Sequence, residues 1–262
     1  MRQARLESGE EYAALCGRYL RKTSWSNNYL LPERAGQLIA ESRMSYVAGA
    51  ENCCFLVSED SGCSRLYYVV NDMEEFTELP GAAVSEILFR TQAGEPTAEA
   101  GYLEGLGFRE NLIRDQYALK VPEGRAVDVD YSADLTEAAE IAALFNAVFD
   151  KYSGDYISDK AIGELHDSRS FLVVRERGAL QGAMHITLQG AVMWISHVAV
   201  FPEYRGRGVA DALMAMCLTE ARRLGTRRVM LWVQRRNAPA LALYRKYGFM
   251  PTNKSTISYI KQ

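Results

Sequence analysis

The clearest hydrophobic pattern in the chain extends from residue 194 to residue 224. Residues 194–200 form a short apolar run rich in β-branched side chains, which is typical of a buried strand. Pro202 ends this run, because proline has no N–H group to donate to a neighbouring strand. From Val209 onward, apolar residues recur at helical spacing, at Leu213, Met216, Cys217 and Leu224. The pattern therefore predicts a strand, a tight turn and a helix in succession.

The same reasoning places elements along the rest of the chain. The first half is predicted to contain helices at 8–22 (after a Ser8 cap), 32–47 (from Pro32), within 71–79 and at 97–106, and strands at 55–58, 65–70, 84–90 and 111–119. The second half is predicted to contain strands at 126–130, 170–175, 179–189, 191–200, 228–233 and 256–261, and helices at 134–149, 158–166, 209–224 and 238–247. Strands that alternate with crossing helices indicate an α/β fold with mixed sheets and flanking helices.

An internal repeat divides these elements into two similar halves. A Gly-Phe pair at 107–108 precedes Lys120 by the spacing that separates a second pair, at 248–249, from Lys261. The offset between the halves is 141 residues, and the predicted strands follow it. The alternative to a true repeat is coincidence, because Gly-Phe pairs are common in proteins.

The repeat predicts two tandem domains, at residues 1–122 and 126–262. The first copy has no glycine-rich loop between its strands at 65–70 and 84–90. It also has Leu103 where the second copy has Tyr244. We therefore expect a degenerate N-terminal domain beside a C-terminal domain that retains a binding loop.

Composition and charge narrow the class of protein. The 262 residues are 48% apolar, yet no segment approaches the eighteen apolar residues of a membrane span, and the N-terminus lacks the apolar core of a secretory signal. The five cysteines lack metal-ligand spacing, so we expect a cytoplasmic protein with reduced thiols and no metal site. The net charge is −3, with −6 on residues 1–125 and +3 on residues 126–262. An anionic cofactor is expected in the basic half, whereas a nucleic-acid or membrane partner is not expected.

Arg205-Gly-Arg-Gly208, between the predicted strand and helix, is the strongest candidate for a binding site. The first turn of a helix has unpaired N–H donors and a partial positive charge, so it favours a phosphate. Gly206 and Gly208 let the backbone approach such an anion closely. On its own, the tetrapeptide is equally typical of a turn with solvated arginines or of an RGG-like contact to nucleic acid.

The surrounding sequence resembles the acyl-CoA pyrophosphate loop of the GNAT (GCN5-related) N-acetyltransferases. Residues 205–210 fit Arg/Gln-x-x-Gly-x-Gly/Ala and directly follow Val-Ala-Val-x-Pro-x-Tyr. A second family element follows, with Asn237 and then Leu-Tyr-Arg-Lys-Tyr-Gly-Phe at 243–249. The resemblance extends from about residue 127 to the C-terminus and implies transfer of an acetyl group from acetyl-CoA to an amine.

The resemblance also implies roles for individual residues. The loop residues Arg205, Gly206, Arg207, Gly208, Val209 and Ala210 are expected to bind the pyrophosphate, and the backbone of Val198, Ala199 and Val200 to pair with the pantetheine arm. Asn237 is expected to bond that arm, although it is also a plausible helix cap. Tyr244 is expected to protonate the departing thiolate; a tyrosine that only packs in the core is the alternative.

The general base is where the sequence departs from the family pattern. Many family members have a carboxylate on the strand before the loop, but Ser196 and His197 occupy those positions here. Because side chains alternate along a strand, we expect only one of the two to face the cleft. His197 has an intrinsic pKa that suits a base near neutral pH, and a buried structural histidine is the alternative. A water relay through Ser196, or a carboxylate from Asp150 or Asp155, also stays open.

The acceptor is expected to bind at the polar, aromatic loop that starts at residue 149. Its members Asp150, Tyr152, Asp155 and Tyr156 suit a cationic amine, either a small molecule or a peptide, although an ordinary polar connection fits as well. The sequence identifies neither the amine nor the oligomeric state. Because the carboxylate base is missing, a non-catalytic acyl-CoA-binding regulatory protein stays open as the alternative function.

Overall fold

The computed structural model describes residues 2–48, 52–60, 63–73, 83–121, 138–149, 152, 162–164, 166 and 170–261. The chain forms two compact units, one made of residues 1–113 and 256–262, the other of residues 114–255. The predicted strand at 126–130 and most of the helices predicted within 71–79 and at 158–166 lie outside the described residues. Within the described part of the chain, no helix is long and apolar enough to span a bilayer.

The helices and strands have the following bounds. The strands are β1 Arg2–Arg5, β2 Trp25–Ser26, β3 Met44–Ala48, β4 Cys53–Asp60, β5 Cys63–Val70, β6 Ala83–Phe89, β7 Arg109–Lys120, β8 Phe171–Glu176, β9 Ala179–Gln189, β10 Val192–Val200, β11 Arg228–Gln234 and β12 Met250–Lys261. The helices are α1 Gly9–Tyr19, α2 Pro32–Ala40, α3 Thr97–Gly105, α4 Ala138–Val148, α5 Val209–Arg223 and α6 Ala238–Lys246.

The first unit is a mixed sheet with helices on both faces. Its strand order is β1-β3-β4-β5-β6-β12-β7, and β2 pairs separately with β5. One face packs α1 and α2 over a core that includes Leu38 and Leu56. The opposite face packs α3, through Leu103, over Phe55. Alternate side chains of β4 therefore enter two different cores, as the two faces of a buried strand require.

One prediction for the first unit is corrected, and one strand was missed. The helix predicted at 32–47 ends at Ala40, and its last part forms β3 instead. Ser42, at φ 58, turns the chain, and β3 then pairs with β1 and β4. The short strand β1 was missed, and its pairing favours a strand over a longer helix. The predicted Ser8 cap is confirmed, because its hydroxyl accepts the N–H of Glu11 at 3.1 Å.

The second unit repeats this layered plan. Its sheet runs β7-β11-β10-β9-β8; β10 and β11 are parallel, whereas the other pairs in this run are antiparallel. One face packs α4 through Phe145 against Phe171 and Ala183. The other face packs α5 and α6 against Leu231 and Phe249. The predicted α/β class with mixed sheets and flanking helices is confirmed.

The two longest strands, β7 and β12, each contribute residues to both units. Residues 114–120 of β7 pair with β11 in the second unit, whereas residues 256–261 of β12 belong to the first unit, next to β6. Each unit is thus completed by the last strand of the other half of the sequence. The predicted domains, 1–122 and 126–262, concern the two sequence copies and stay a prediction.

The repeat is visible in matching elements within the two units. Helices α3 and α6 have nine residues each and begin 141 positions apart, as do the twelve-residue strands β7 and β12. After each helix a glycine adopts a left-handed conformation, Gly107 at φ 86 and Gly248 at φ 85. The phenylalanine that follows is buried both times.

Candidate active site

A β-bulge at Ser196 shapes the middle of the second unit. Along β10 and β9, Ile195 pairs with Ile186 but His197 pairs with His185, so Ser196 is an extra residue on β10. The bulge resets the alternation of side chains along the strand. Ser196 and His197 both border one cavity, as do Ile195 and Val198, and the expectation that only one of the two side chains faces the cleft stays a prediction.

Strands β10 and β11 separate just beyond this bulge. Their parallel pairing runs from Val192–Arg228 to Ile195–Leu231 and stops there, although both strands continue. A cavity of about 680 Å³ opens where they part. The residues at its wall that the sequence predicted are His197, Val198, Val200, Arg205, Gly206, Gly208, Val209, Ala210, Asn237 and Tyr244.

The glycine loop at the mouth of the cavity has the conformation that the sequence predicts. Gly206 and Gly208 lie at φ 73 and φ 82, in a region that disfavours residues with a Cβ. Gly208 directly precedes α5, so the unpaired N–H groups of the first helical turn border the cavity. Arg205 donates from Nε to the carbonyl of Val200 at 3.2 Å and so ties the loop to the end of β10. The arrangement suits a phosphate group.

Gly182 on β9 brings helix and strand together behind the loop, a role that sequence reasoning missed. A Cβ at Gly182 would lie 2.8 Å from Cγ1 of Val209 and 2.9 Å from the carbonyl oxygen of Ala199. Only glycine lets the start of α5 approach the strand this closely. A glycine inside a predicted strand often marks a close approach of another part of the backbone, so Gly182 itself was the signal that the sequence offered.

Helix α6 brings Tyr244 to the cavity wall, and Asn237, the residue before the helix, lies at the wall as well. The side chain of Asn237 accepts the N–H of Ala240 at 3.2 Å, so its predicted role as a helix cap is confirmed, and it also borders the cavity. Tyr244 is 7% exposed, lines the cavity and packs its ring against Phe249. Tyr247 packs against the same core and also donates its hydroxyl to the carbonyl of Asp211 at 3.0 Å.

His197 lies in an apolar and positively charged environment. Its ring contacts Phe145 and Phe149, with centroids 5.8 and 5.6 Å away. Burial, together with the charge of Arg114, lowers the pKa of His197 to about 4, well below its ordinary value. The residue is therefore neutral at pH 7 and able to accept a proton, although it is a weaker base than a histidine with an ordinary pKa. Arg114, a buried residue on β7 that also lines the cavity, was not anticipated.

Some predicted site residues do not reach the cavity wall. Ala199 is buried in the core beneath α4, so any part it has in binding involves its backbone. Arg207 instead lies over the ring of Tyr204, 5.8 Å from the centroid. Tyr152 is half-buried and is not at the wall. The other predicted acceptor residues, Asp150, Asp155 and Tyr156, lie outside the described residues.

The corresponding gap in the first unit is filled by the chain itself. The parallel pairing of β5 and β6 stops at Leu66–Ser85, as that of β10 and β11 stops at Ile195–Leu231. Asn27, 5% exposed, lies in this gap and donates its amide to the carbonyls of Leu66 and Glu86 at 3.2 and 3.0 Å. Its Oδ1 accepts the N–H of Tyr68 at 2.7 Å, and β2 pairs with the end of β5 just beyond.

Comparisons with known proteins identify the family that this chain resembles. Residues 135–249 match the Acetyltransferase (GNAT) family. Streptothricin acetyltransferase from Streptomyces lavendulae is 36% identical over 126 residues, which are 47% of this chain and 67% of that protein. The chain belongs to the GNAT acetyltransferase family. The predicted resemblance is thereby confirmed.

Other relatives of this GNAT protein extend the comparison. A putative ribosomal protein bS18-alanine N-acetyltransferase from Bacillus subtilis is 32% identical over 81 residues, which are 31% of this chain and 54% of that protein. A solved tandem GNAT protein from the clavulanic acid biosynthesis pathway superposes with a TM-score of 0.55 at 13% identity, over 99% of this chain and 97% of that chain. This likeness supports a tandem GNAT fold along the whole chain. Among the described residues, no group of three potential metal ligands occurs.

Proposed function

We propose that the second unit transfers an acetyl group from acetyl-CoA to an amine. The observation that carries the proposal is the glycine loop at the mouth of the cleft between β10 and β11, where left-handed Gly206 and Gly208 precede helix α5. The backbone N–H groups and the helix dipole favour the pyrophosphate of coenzyme A at this position. None of the described strands pairs with the end of β10 on the β11 side, and with Val198 and Val200 at the cavity wall this end suits the amide groups of the pantetheine arm.

The residues around the cleft suit the two proton transfers of the reaction. Acetyl-CoA supplies the activated thioester. Tyr244, at the wall of the same cavity as His197, donates a proton to the thiolate as it departs. His197 is neutral at physiological pH, so it accepts the proton that the acceptor nitrogen loses. Phe149 and Trp232 also line the cavity, which offers the acceptor an aromatic environment.

A thiol-release assay tests the proposal. Purified protein is incubated with acetyl-CoA and a panel of small amines, amino acids, aminoglycosides and peptide N-termini, and free coenzyme A is measured. The relative from Streptomyces lavendulae is named for streptothricin, so that compound joins the panel. We expect turnover with at least one amine. Tight binding of acetyl-CoA without turnover on any amine would instead favour the acyl-CoA-binding regulatory protein.

We expect the chain to bind a single acetyl-CoA. Asn27 and β2 occupy the gap between β5 and β6 in the first unit, where a pantetheine arm would otherwise pair with the strand. Titration calorimetry should therefore give a stoichiometry of one per chain. A stoichiometry of two would contradict both this expectation and the proposal that the N-terminal copy is degenerate.

A further inference from the structure

A second histidine, His185, lies beside His197 on the neighbouring strand. Strands β9 and β10 pair the two residues directly after the bulge at Ser196. Their Nδ1 atoms are 3.3 Å apart, and their rings are inclined by only 14°. His185 is 5% exposed and is not part of the cavity wall, whereas His197 is. The bulge thus links a cavity histidine to a buried one.

A hydrogen bond between two neutral imidazoles needs one donor and one acceptor. If His197 donates from Nδ1, its Nε2 has a lone pair and can accept a proton. If His197 accepts at Nδ1, its Nε2 carries the hydrogen and cannot act as a base. The ring nitrogen of His185 that carries the hydrogen therefore decides whether His197 can act as the base in the proposed reaction.

The surroundings of His185 favour the first arrangement. When His185 accepts at Nδ1, its own hydrogen is on Nε2, a buried atom with no hydrogen-bond partner among the described residues. The ring of Phe171 lies 5.1 Å from that of His185, centroid to centroid. An aromatic ring, which is a weak acceptor for an N–H group, therefore lies beside the imidazole of His185.

We propose that His185 is a positioning residue that accepts the Nδ1–H of His197 and so holds His197 in the tautomer whose Nε2 is free to take a proton. This inference rests on the proposed acetyl transfer. Burial lowers the pKa of His185 to about 3, and burial with Arg114 lowers that of His197 to about 4, so both rings are neutral at pH 7, as the hydrogen bond requires. Among the described neighbours of His197, Arg114 and His185 are the charged and titratable groups that act on it.

The proton and electron balance of the reaction is then complete. The acceptor nitrogen forms a bond to the acetyl carbon and loses a proton to Nε2 of His197. The carbon–sulfur bond breaks, its electron pair passes to sulfur, and the sulfur takes the hydroxyl proton of Tyr244. Water returns a proton from His197 to Tyr244. Throughout these steps Nδ1–H of His197 stays bonded to His185.

Nitrogen NMR of the protein with 15N-labelled histidine tests the tautomers without any substrate. The chain has three histidines, so six ring-nitrogen signals are expected and can be assigned with single variants. At pH 7 we expect His197 to be protonated at Nδ1 alone and His185 at Nε2 alone. Protonation of His197 at Nε2 would overturn the proposal. This readout needs no turnover, so it stays informative even if the wild-type protein acetylates no amine, a result that would refute only the proposed function.

Two variants connect the tautomer with the reaction. His185→Asn keeps an acceptor oxygen near the position of Nδ1, whereas His185→Phe fills the same space without an acceptor. We expect His185→Phe to lower kcat by about 10–100-fold, the range seen when a metal-ligating histidine loses its hydrogen-bond partner, with unchanged affinity for acetyl-CoA. His185→Asn should recover most of this loss. Equal losses in both variants, with the His197 tautomer unchanged, would show that His185 only packs. If His185→Phe does not fold, the His197 tautomers measured in the wild type and in His185→Asn still test the proposal.

Discussion

Gly208→Val is expected to weaken binding of acetyl-CoA by about 100-fold or more, equivalent to two charge-assisted hydrogen bonds of about 1.5 kcal/mol each. Gly208 lies at φ 82, and among the described residues, its two chain neighbours aside, none has an atom within 4 Å of the position its Cβ would occupy, so the added side chain enters the open space at the loop. This is the space that the proposed pyrophosphate needs. In addition, valine is strained at positive φ, which shifts the N–H groups that begin α5. Titration calorimetry on the folded variant is the measurement.

Gly178→Val is the matched control for this experiment. Gly178 lies at φ 84 in the turn between β8 and β9 and is not at the cavity wall; within the part of the chain that the structure describes, its Cβ position is also more than 4 Å from every atom beyond the two chain neighbours. Both variants therefore introduce the same kind of backbone strain, but only Gly208→Val affects the proposed binding site. An affinity that falls equally in the two variants, or in neither, would refute the assignment of the loop to the pyrophosphate.

Local sequence predicted the parts of the site that depend on short-range chemistry. Glycines at 206 and 208 permit the left-handed backbone seen there, a helix begins at Val209, and Asn237 caps the next helix; each of these follows from neighbouring residues. Consequently the loop and both helices lie where the hydrophobic pattern placed them. The family resemblance added roles but was not needed for this local geometry.

Pairing between distant strands determined what the sequence could not predict. The bulge at Ser196 depends on how β10 is registered against β9, and the serine itself does not signal it, so the pairing of His197 with His185 could not be predicted. Arg114 reaches the cavity because β7 pairs with β11, a contact between residues more than one hundred positions apart. Asn27 likewise contacts β5 and β6 only in the folded unit. The sequence showed that the first copy lacks a glycine loop, but it did not show that Asn27 occupies the gap between these strands.

Tyr244→Phe is expected to lower turnover by about 10²–10⁴-fold, the usual contribution of a positioned acid. The substitution keeps the ring, which is packed against Phe249 at 5.7 Å between centroids, and removes only the hydroxyl. Stability and affinity for acetyl-CoA should therefore change little. A phenol is protonated at neutral pH, and the thiol that it serves has a pKa of roughly 8–9, so the proton transfer is not far uphill. The measurement is the rate of thiol release with an acceptor for which chemistry limits turnover.

Tyr247→Phe is the matched control, since it removes a phenolic hydroxyl three residues away on the same segment. That hydroxyl bonds Asp211 at the start of α5, so its loss should reduce stability by about 1 kcal/mol and leave the chemical step unchanged. The contrast separates a catalytic hydroxyl from one that only supports the fold. If Tyr244→Phe turns over at the wild-type rate while Tyr247→Phe behaves as expected, Tyr244 is a packing residue and the departing thiolate takes its proton from another group.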